Sequence, residues 1–214
     1  MDNIIYLWKF KPNEKKHFPQ DVVINNLKYI ENYKIINDPS IIESFIINNN
    51  IFPSLLQLYN RIPHWVIKTD LGRLLAVYLN GGLYADADCF IKKKLDKHND
   101  KDNIILFIEH KCSSVNQLGK RECKNPENLV RIANFCFGSK TKNHPFLKEV
   151  IRECVYRLNK LLMIEKKSVF NNEDVLWVCG PDVITTIYHR TKKNYNIFLH
   201  DSSFLDHKCY GSWR

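Results

Sequence analysis

The stretch that decides the fold runs from residue 68 to residue 88. It reads Lys68-Thr69-Asp70-Leu71-Gly72-Arg73, then Leu74-Leu75-Ala76-Val77-Tyr78-Leu79-Asn80, then Gly81-Gly82-Leu83-Tyr84-Ala85-Asp86-Ala87-Asp88. Apolar residues at 71, 74, 75, 78 and 79 keep helical spacing, which predicts a helix over 68–79. Asn80-Gly81-Gly82 stops it, because glycine tolerates the left-handed cap. Leu83 to Ala87 resumes as a short strand. Asp70 and Arg73 are three apart on the helix and share a face. Asp86 and Asp88 are two apart at a strand end, so both side chains point the same way. Two carboxylates this close repel each other. A divalent cation makes the arrangement favourable, and Mg²⁺ or Mn²⁺ with a bound diphosphate is the usual occupant of such oxygen sites. A nearby arginine can hold a carboxylate, a phosphate or a hydroxyl pair through two hydrogen bonds. Alone, an Asp-x-Asp is most often a solvated pair in a turn; the helix, Gly-Gly turn and strand before it make this one specific.

Outward from that stretch, strands and helices alternate. Ile4 to Trp8 reads as a buried strand. Leu27 to Ile36 and Ile41 to Asn50 read as a helix and a strand of undetermined order, and Pro53 to Asn60 as a short helix. Ile104 to Ile108 and Ile132 to Phe137 are further strands, with a long polar loop over 109–130 between them. His144 to Leu162 is the longest helix, with Pro145 near its start. Val175 to Val178 fits a strand or a helix end, Val183 to His189 a helix, and Asn196 to Leu199 a final strand. The alternation predicts an α/β layered domain.

Composition bounds the rest. The 214 residues suit one domain, and 44% apolar with 26% charged residues excludes a disordered chain, a coiled coil and a collagen-like fibre. Net charge is +9, from 32 Lys and Arg against 23 Asp and Glu, and lysine supplies 24 of the 32. Such a surface suits an anionic partner without naming it. The seven cysteines are odd in number and include no Cys-x-x-Cys, which fits reduced thiols in a cytoplasmic compartment. The N-terminus lacks the basic start of a signal peptide, and no stretch approaches the roughly 20 apolar residues of a membrane span.

The run from Thr69 to Asp88 resembles the DXD sugar-binding region of glycosyltransferase family 32, also seen in the clostridial glucosylating toxins. The matching positions are Thr69, Asp70, Arg73, Gly81, Gly82, Leu83, Tyr84, Asp86 and Asp88; Ala85 departs from the Leu of many relatives. Further landmarks follow in the family's order. Ile4 to Trp8 is similar to its first strand, which ends in tryptophan. Asn134 to Ser139 with His144-Pro145, then Gly180-Pro181, are similar to its later strand, helix start and Thr-Gly-Pro. His207-Lys208-Cys209-Tyr210-Gly211-Ser212-Trp213 resembles its closing His-x-x-x-Gly-Ser-Trp. Length and the Asn, Ile and Lys bias suggest a virus-encoded, capsid-glycosylating subtype, which would place it in a host cytoplasm.

The resemblance implies a GT-A fold: a Rossmann-like α/β/α sandwich with a mixed, mostly parallel central sheet. It implies one domain over 1–214 with a C-terminal flap about 200–214. It implies a retaining glycosyltransferase that takes a nucleotide sugar, a UDP-sugar favoured, and Mn²⁺ or Mg²⁺, with a glycan or glycoprotein as acceptor. Carried over, Asp88 binds the metal, Asp86 contacts ribose or sugar and shares the metal, and His207 is a further ligand. Asp70 and Arg73 hold the donor sugar, Trp8 stacks on the base, and Ser212 and Trp213 close over the diphosphate. Tyr84 reads as a packing residue. No Asp or Glu is identifiable as a covalent nucleophile, and front-side attack within one ion pair is the usual family proposal. The chain is expected to be a monomer or one domain of a longer protein, with neither nucleic acid nor a membrane span. The alternatives are a basic nucleic-acid-binding module, which lacks a basic helix or known motif, and a metal-dependent phosphohydrolase, which lacks a second His and Asp cluster.

Overall fold

The structure is a computed structural model that describes residues 2–95, 104–114 and 129–209. Among the described residues, eight strands and seven α-helices follow one another. They are β1 (Asn3–Leu7), α1 (Gln20–Asn26), β2 (Asn32–Ile36), α2 (Ser40–Asn49), α3 (Leu55–Arg61), α4 (Trp65–Asn80), β3 (Gly82–Ala85), β4 (Cys89–Ile91) and β5 (Ile104–Lys111). Then come β6 (Val130–Ser139), α5 (Pro145–Asn159), α6 (Asn172–Val178), α7 (Pro181–Thr191), β7 (Ile197–His200) and β8 (Leu205–His207).

Six strands form the central sheet in the order β2-β1-β3-β6-β5-β7. β1 is parallel to β2 and β3, β5 is parallel to β7, and β6 runs antiparallel to both its neighbours. The sheet is therefore mixed and mostly parallel, with one reversed strand at its centre. β4 and β8 make a separate two-stranded ribbon. One core, built on α4, α5 and α7, covers one face of the sheet. A second, smaller core lies between the other face, α1 and the ribbon. The expected α/β/α sandwich is present.

α4 packs on β1, β3 and β6 and on the helices α2, α5 and α6. His64 caps its start by accepting a hydrogen bond from the Val66 N–H, and twelve of its 16 residues are buried. It ends at Gly81, whose φ of 69° and the following 93° of Gly82 turn the chain back into β3. A side chain at Gly82 would also place its Cβ 2.9 Å from the Asn3 carbonyl oxygen, so β1 and β3 need glycine there twice over.

Three sequence readings are corrected or refined. The undetermined pair before residue 50 resolves as strand β2 then helix α2, with α1 ahead of them. Val175 to Val178 is helical, because Asn171 and Asp174 form a reciprocal capping box that starts α6 at Asn172. The polar stretch 109–130 begins inside β5 and ends in β6, and its residues 115–128 lie outside the described residues. No helix among the described residues is long and apolar enough to cross a membrane.

Candidate functional site

β1 and β3 are parallel, so their C-terminal ends share one edge of the sheet, and the site gathers there. β3 delivers Asp86 just past Ala85; β6 enters from the opposite direction, and Phe135 accepts a hydrogen bond from the Asp86 N–H at 2.8 Å. α4 returns antiparallel to β3, so its first turns reach the same edge. Asp70 and Arg73 thus arrive beside Asp86.

Arg73 is the hub. Its guanidinium lies 2.7 Å from Asp70 Oδ1 and 3.1 Å from Asp86 Oδ1, and it donates to the Asn134 carbonyl at 2.9 Å. It also lies over the Tyr84 ring, 4.9 Å from the centroid. Asn134 closes the loop by donating to Asp70 Oδ1 at 3.3 Å, and the Tyr84 hydroxyl donates to Asp86 Oδ1 at 2.5 Å. Asp70 and Arg73 are only 4% and 7% exposed, so helix packing alone would exclude both. Burial raises the Asp70 carboxyl to about 7, more than Arg73 and Asn134 can offset. Burial likewise raises Asp86 against the pull of Arg73 and Tyr84. Burial disfavours the charged form of Arg73 too, but Asp86, Tyr84 and Asp70 outweigh it and keep the guanidinium charged.

The second half of the site is the Asp86–Asp88–His207 cluster, whose ligand atoms all lie within 4.8 Å of one another. His207 Nε2 is 3.2 Å from Asp88 Oδ1, and its ring stacks on Phe135 at 3.9 Å between centroids. Burial works to lower the imidazole, but Asp88, with Asp86 and Glu109, holds it above its ordinary value. Asp86 Oδ1 serves both Arg73 and Tyr84. Two carboxylates and one imidazole form a hard donor set that fits Mn²⁺ or Mg²⁺.

The ribbon explains why His207 is there. Cys89 of β4 faces His207 of β8 in register, and the Lys208 N–H donates to the Asp88 carbonyl at 3.0 Å. Among the described residues the outer edge of β4 has no partner strand; Asn26 takes that place. Its amide donates to the Tyr6 hydroxyl at 2.9 Å and the Cys89 carbonyl at 3.0 Å, and accepts from the Ile91 N–H at 2.8 Å and Asn25 at 3.0 Å. Asn26 is fully buried, and four hydrogen bonds satisfy it.

Of the residues singled out from the sequence, the structure brings Asp70, Arg73 and Asp86 together, and Asp88, Asp86 and His207 together. Trp8 follows β1 at the same edge; it is partly buried, its indole N–H donates to the Lys16 carbonyl at 3.3 Å, and Phe18 meets its ring edge-on. Ser212 and Trp213 lie outside the described residues. Within the stretch expected as a flap, Leu205–His207 is paired with β4. Tyr84 packs, as read, but also fixes Asp86. Asn26 and Asn134 were not foreseen. Asn134 carries a signal: an amide inside the apolar run Ile132-Ala133-Asn134-Phe135-Cys136 asks for a buried partner. His64 and His144 cap α4 and α5, and His189 bonds the Val130 carbonyl, all structural roles.

The family model described as a glycosyltransferase sugar-binding region containing the DXD motif matches residues 15–105, which hold Asp70, Arg73, Asp86 and Asp88. No curated protein matches the chain in sequence. Among solved structures, one described as the PaToxG glycosyltransferase is similar with a TM-score of 0.51 at 16% identity, over 90% of this chain and 70% of that one. Another, described as a transferase mutant, is similar with a TM-score of 0.43 at 16% identity, over 96% of this chain and 94% of that one. The first likeness is one of fold. The DXD-region match and the GT-A-like fold support a glycosyltransferase.

Proposed function

We propose that the chain is a retaining, metal-dependent glycosyltransferase of the family 32 type, moving a sugar from a UDP-sugar to a glycan or glycoprotein. One observation carries the reading: the Asp86–Asp88–His207 cluster lies directly beside a buried Asp70–Arg73 pair. Mn²⁺ or Mg²⁺ bound there would neutralise the charge developing on the leaving nucleoside diphosphate. Asp88 and His207 would hold that ion, with Asp86, which is already paired with Arg73, as a shared ligand. Asp70 and Arg73 receive the donor sugar's hydroxyls. Their mutual ion pair fixes both side chains before substrate arrives, so little reorganisation is needed on binding. Trp8, at the end of β1, offers an aromatic face to the base, and Ser212 and Trp213 close over the diphosphate. Domain organisation follows the same reading: residues 1–214 form one catalytic domain.

The net charge supports this reading only indirectly. The site itself is acidic, so the bound cation rather than the surface lysines meets the diphosphate. UDP with Mn²⁺ should raise the melting temperature of the protein by several degrees at saturation. Asp88→Ala should remove the Mn²⁺-dependent part of that rise. An unchanged melting temperature under saturating UDP and Mn²⁺ would contradict the reading.

A further inference from the structure

Lysines meet exposed apolar side chains at the end of α5. α5 ends in a five-residue π-helical turn, Lys160–Ile164, and the chain then reverses through Glu165-Lys166-Lys167-Ser168-Val169. Ile164 and Val169 bracket this reversal. They are 69% and 75% exposed, the highest values among the exposed large hydrophobic residues. Tyr156, two turns earlier on α5, is 57% exposed. A loose loop would explain such exposure, but this turn is held. The Lys167 N–H donates to the Leu161 carbonyl at 2.9 Å, the Glu165 N–H donates to the Lys160 carbonyl at 2.9 Å, and Phe170 is buried just behind Val169. Lys167 is ion-paired with Asp174. The backbone therefore presents Ile164 and Val169 outward.

The same surface is basic. Arg61, Lys166 and Lys167 line a groove of about 520 Å³ with Pro63, Leu162 and Met163. Arg61 reaches Met163 Sδ at 3.1 Å, and the Lys160 ammonium lies over the Trp177 ring, 5.6 Å from its centroid. Glu165 is the one acid in the turn itself. Apolar tips flanked by cations are what an anionic bilayer rewards: the tips enter the headgroup boundary and the cations meet the phosphates.

We infer that the turn 160–169, together with Arg61, is a docking surface for an anionic phospholipid bilayer. Its place in the fold gives docking a use. Arg61 precedes α4 by a few residues, and α4 carries Asp70 and Arg73 in its first turns. The docking surface and the site thus share one end of the molecule, and under the glycosyl-transfer reading a docked domain would act on acceptors held at the membrane surface. The inference does not require the glycosyl-transfer reading, and its test uses no nucleotide.

The test is co-sedimentation of the whole chain with vesicles of phosphatidylcholine alone and of phosphatidylcholine mixed with phosphatidylserine. Binding is expected only to the mixed vesicles, weakening as salt rises. The double substitution Ile164→Glu with Val169→Glu should cut that binding by about tenfold or more, and Arg61→Glu with Lys166→Glu should do the same. All four positions are exposed, so both variants should keep the wild-type melting temperature and its response to UDP and Mn²⁺. No binding to the mixed vesicles would overturn the proposal. So would undiminished binding by the Ile164→Glu, Val169→Glu variant, which would assign the affinity to surface charge alone and favour an acidic macromolecule as partner.

Discussion

His207 Nε2 lies 3.2 Å from Asp88 Oδ1, and the register of β8 against β4 puts it there. The place of this proposed metal ligand depends on a ribbon of only three residues a side. His207→Ala should weaken Mn²⁺ binding by about tenfold or more while leaving the sheet intact. Calorimetric titration of Mn²⁺ measures this. Asp88→Ala should weaken it at least as much, and equal affinity in the wild type and both variants would remove the metal site from the account.

Asn26 should matter to metal binding without touching a ligand. Its amide replaces the missing neighbour of β4 and so holds the backbone that carries Asp88. Asn26→Ala leaves the Cys89 carbonyl and Ile91 N–H without partners and should cost about 2–4 kcal/mol of stability, read from urea denaturation. A merely structural role would stop there. The positioning role adds a lower Mn²⁺ affinity in the fraction that remains folded, with the affinity for UDP alone little changed.

Asp70 makes stability depend on pH. Burial raises its carboxyl from 3.8 to about 7 in the folded protein. The folded state therefore holds a proton that the unfolded state has released across that interval, and stability falls as pH rises through it. Asp70→Asn keeps the shape and removes the proton exchange. Melting temperature followed from pH 4 to pH 8 without metal should decline less steeply in the variant, by at most a few kcal/mol at the alkaline end. The same variant should lower kcat/KM if Asp70 holds the donor sugar, as proposed. A variant whose profile parallels the wild type would assign the pH dependence elsewhere.

The Gly-Gly turn should tolerate no side chain. Gly82→Ala puts a Cβ 2.9 Å from a backbone carbonyl at a φ of 93°. A cost of about 2 kcal/mol or more in thermal or urea unfolding is expected. A neutral effect would mean that β1 and β3 can separate at no cost.

Some of this was legible in the residues and some was not. The α4–β3 unit was, because a periodic apolar helix, a glycine pair and a strand ending in Asp-x-Asp are local signals. The opening strand was legible because Ile4 to Leu7 is an unbroken apolar run. The ribbon was not. Cys89–Ile91 and Leu205–His207 are too short to show a period, and each is a strand only because the other pairs with it and Asn26 seals the far edge. Val175-Leu176-Trp177-Val178 has no period that separates strand from helix, and the cap at Asn171 and Asp174 decided it. The resemblance supplied His207; spacing alone would not have joined it to Asp88.

The central claim is that the Asp86–Asp88–His207 cluster holds a divalent ion that a nucleotide sugar needs. Calorimetric titration of UDP-glucose or another UDP-sugar into the protein, with and without Mn²⁺, in wild type and Asp88→Ala, tests it most directly. The account predicts binding to the wild type that strengthens by about tenfold or more with Mn²⁺, and no such gain in Asp88→Ala. Binding that is absent from the wild type, or that gains equally from Mn²⁺ in both proteins, would contradict it.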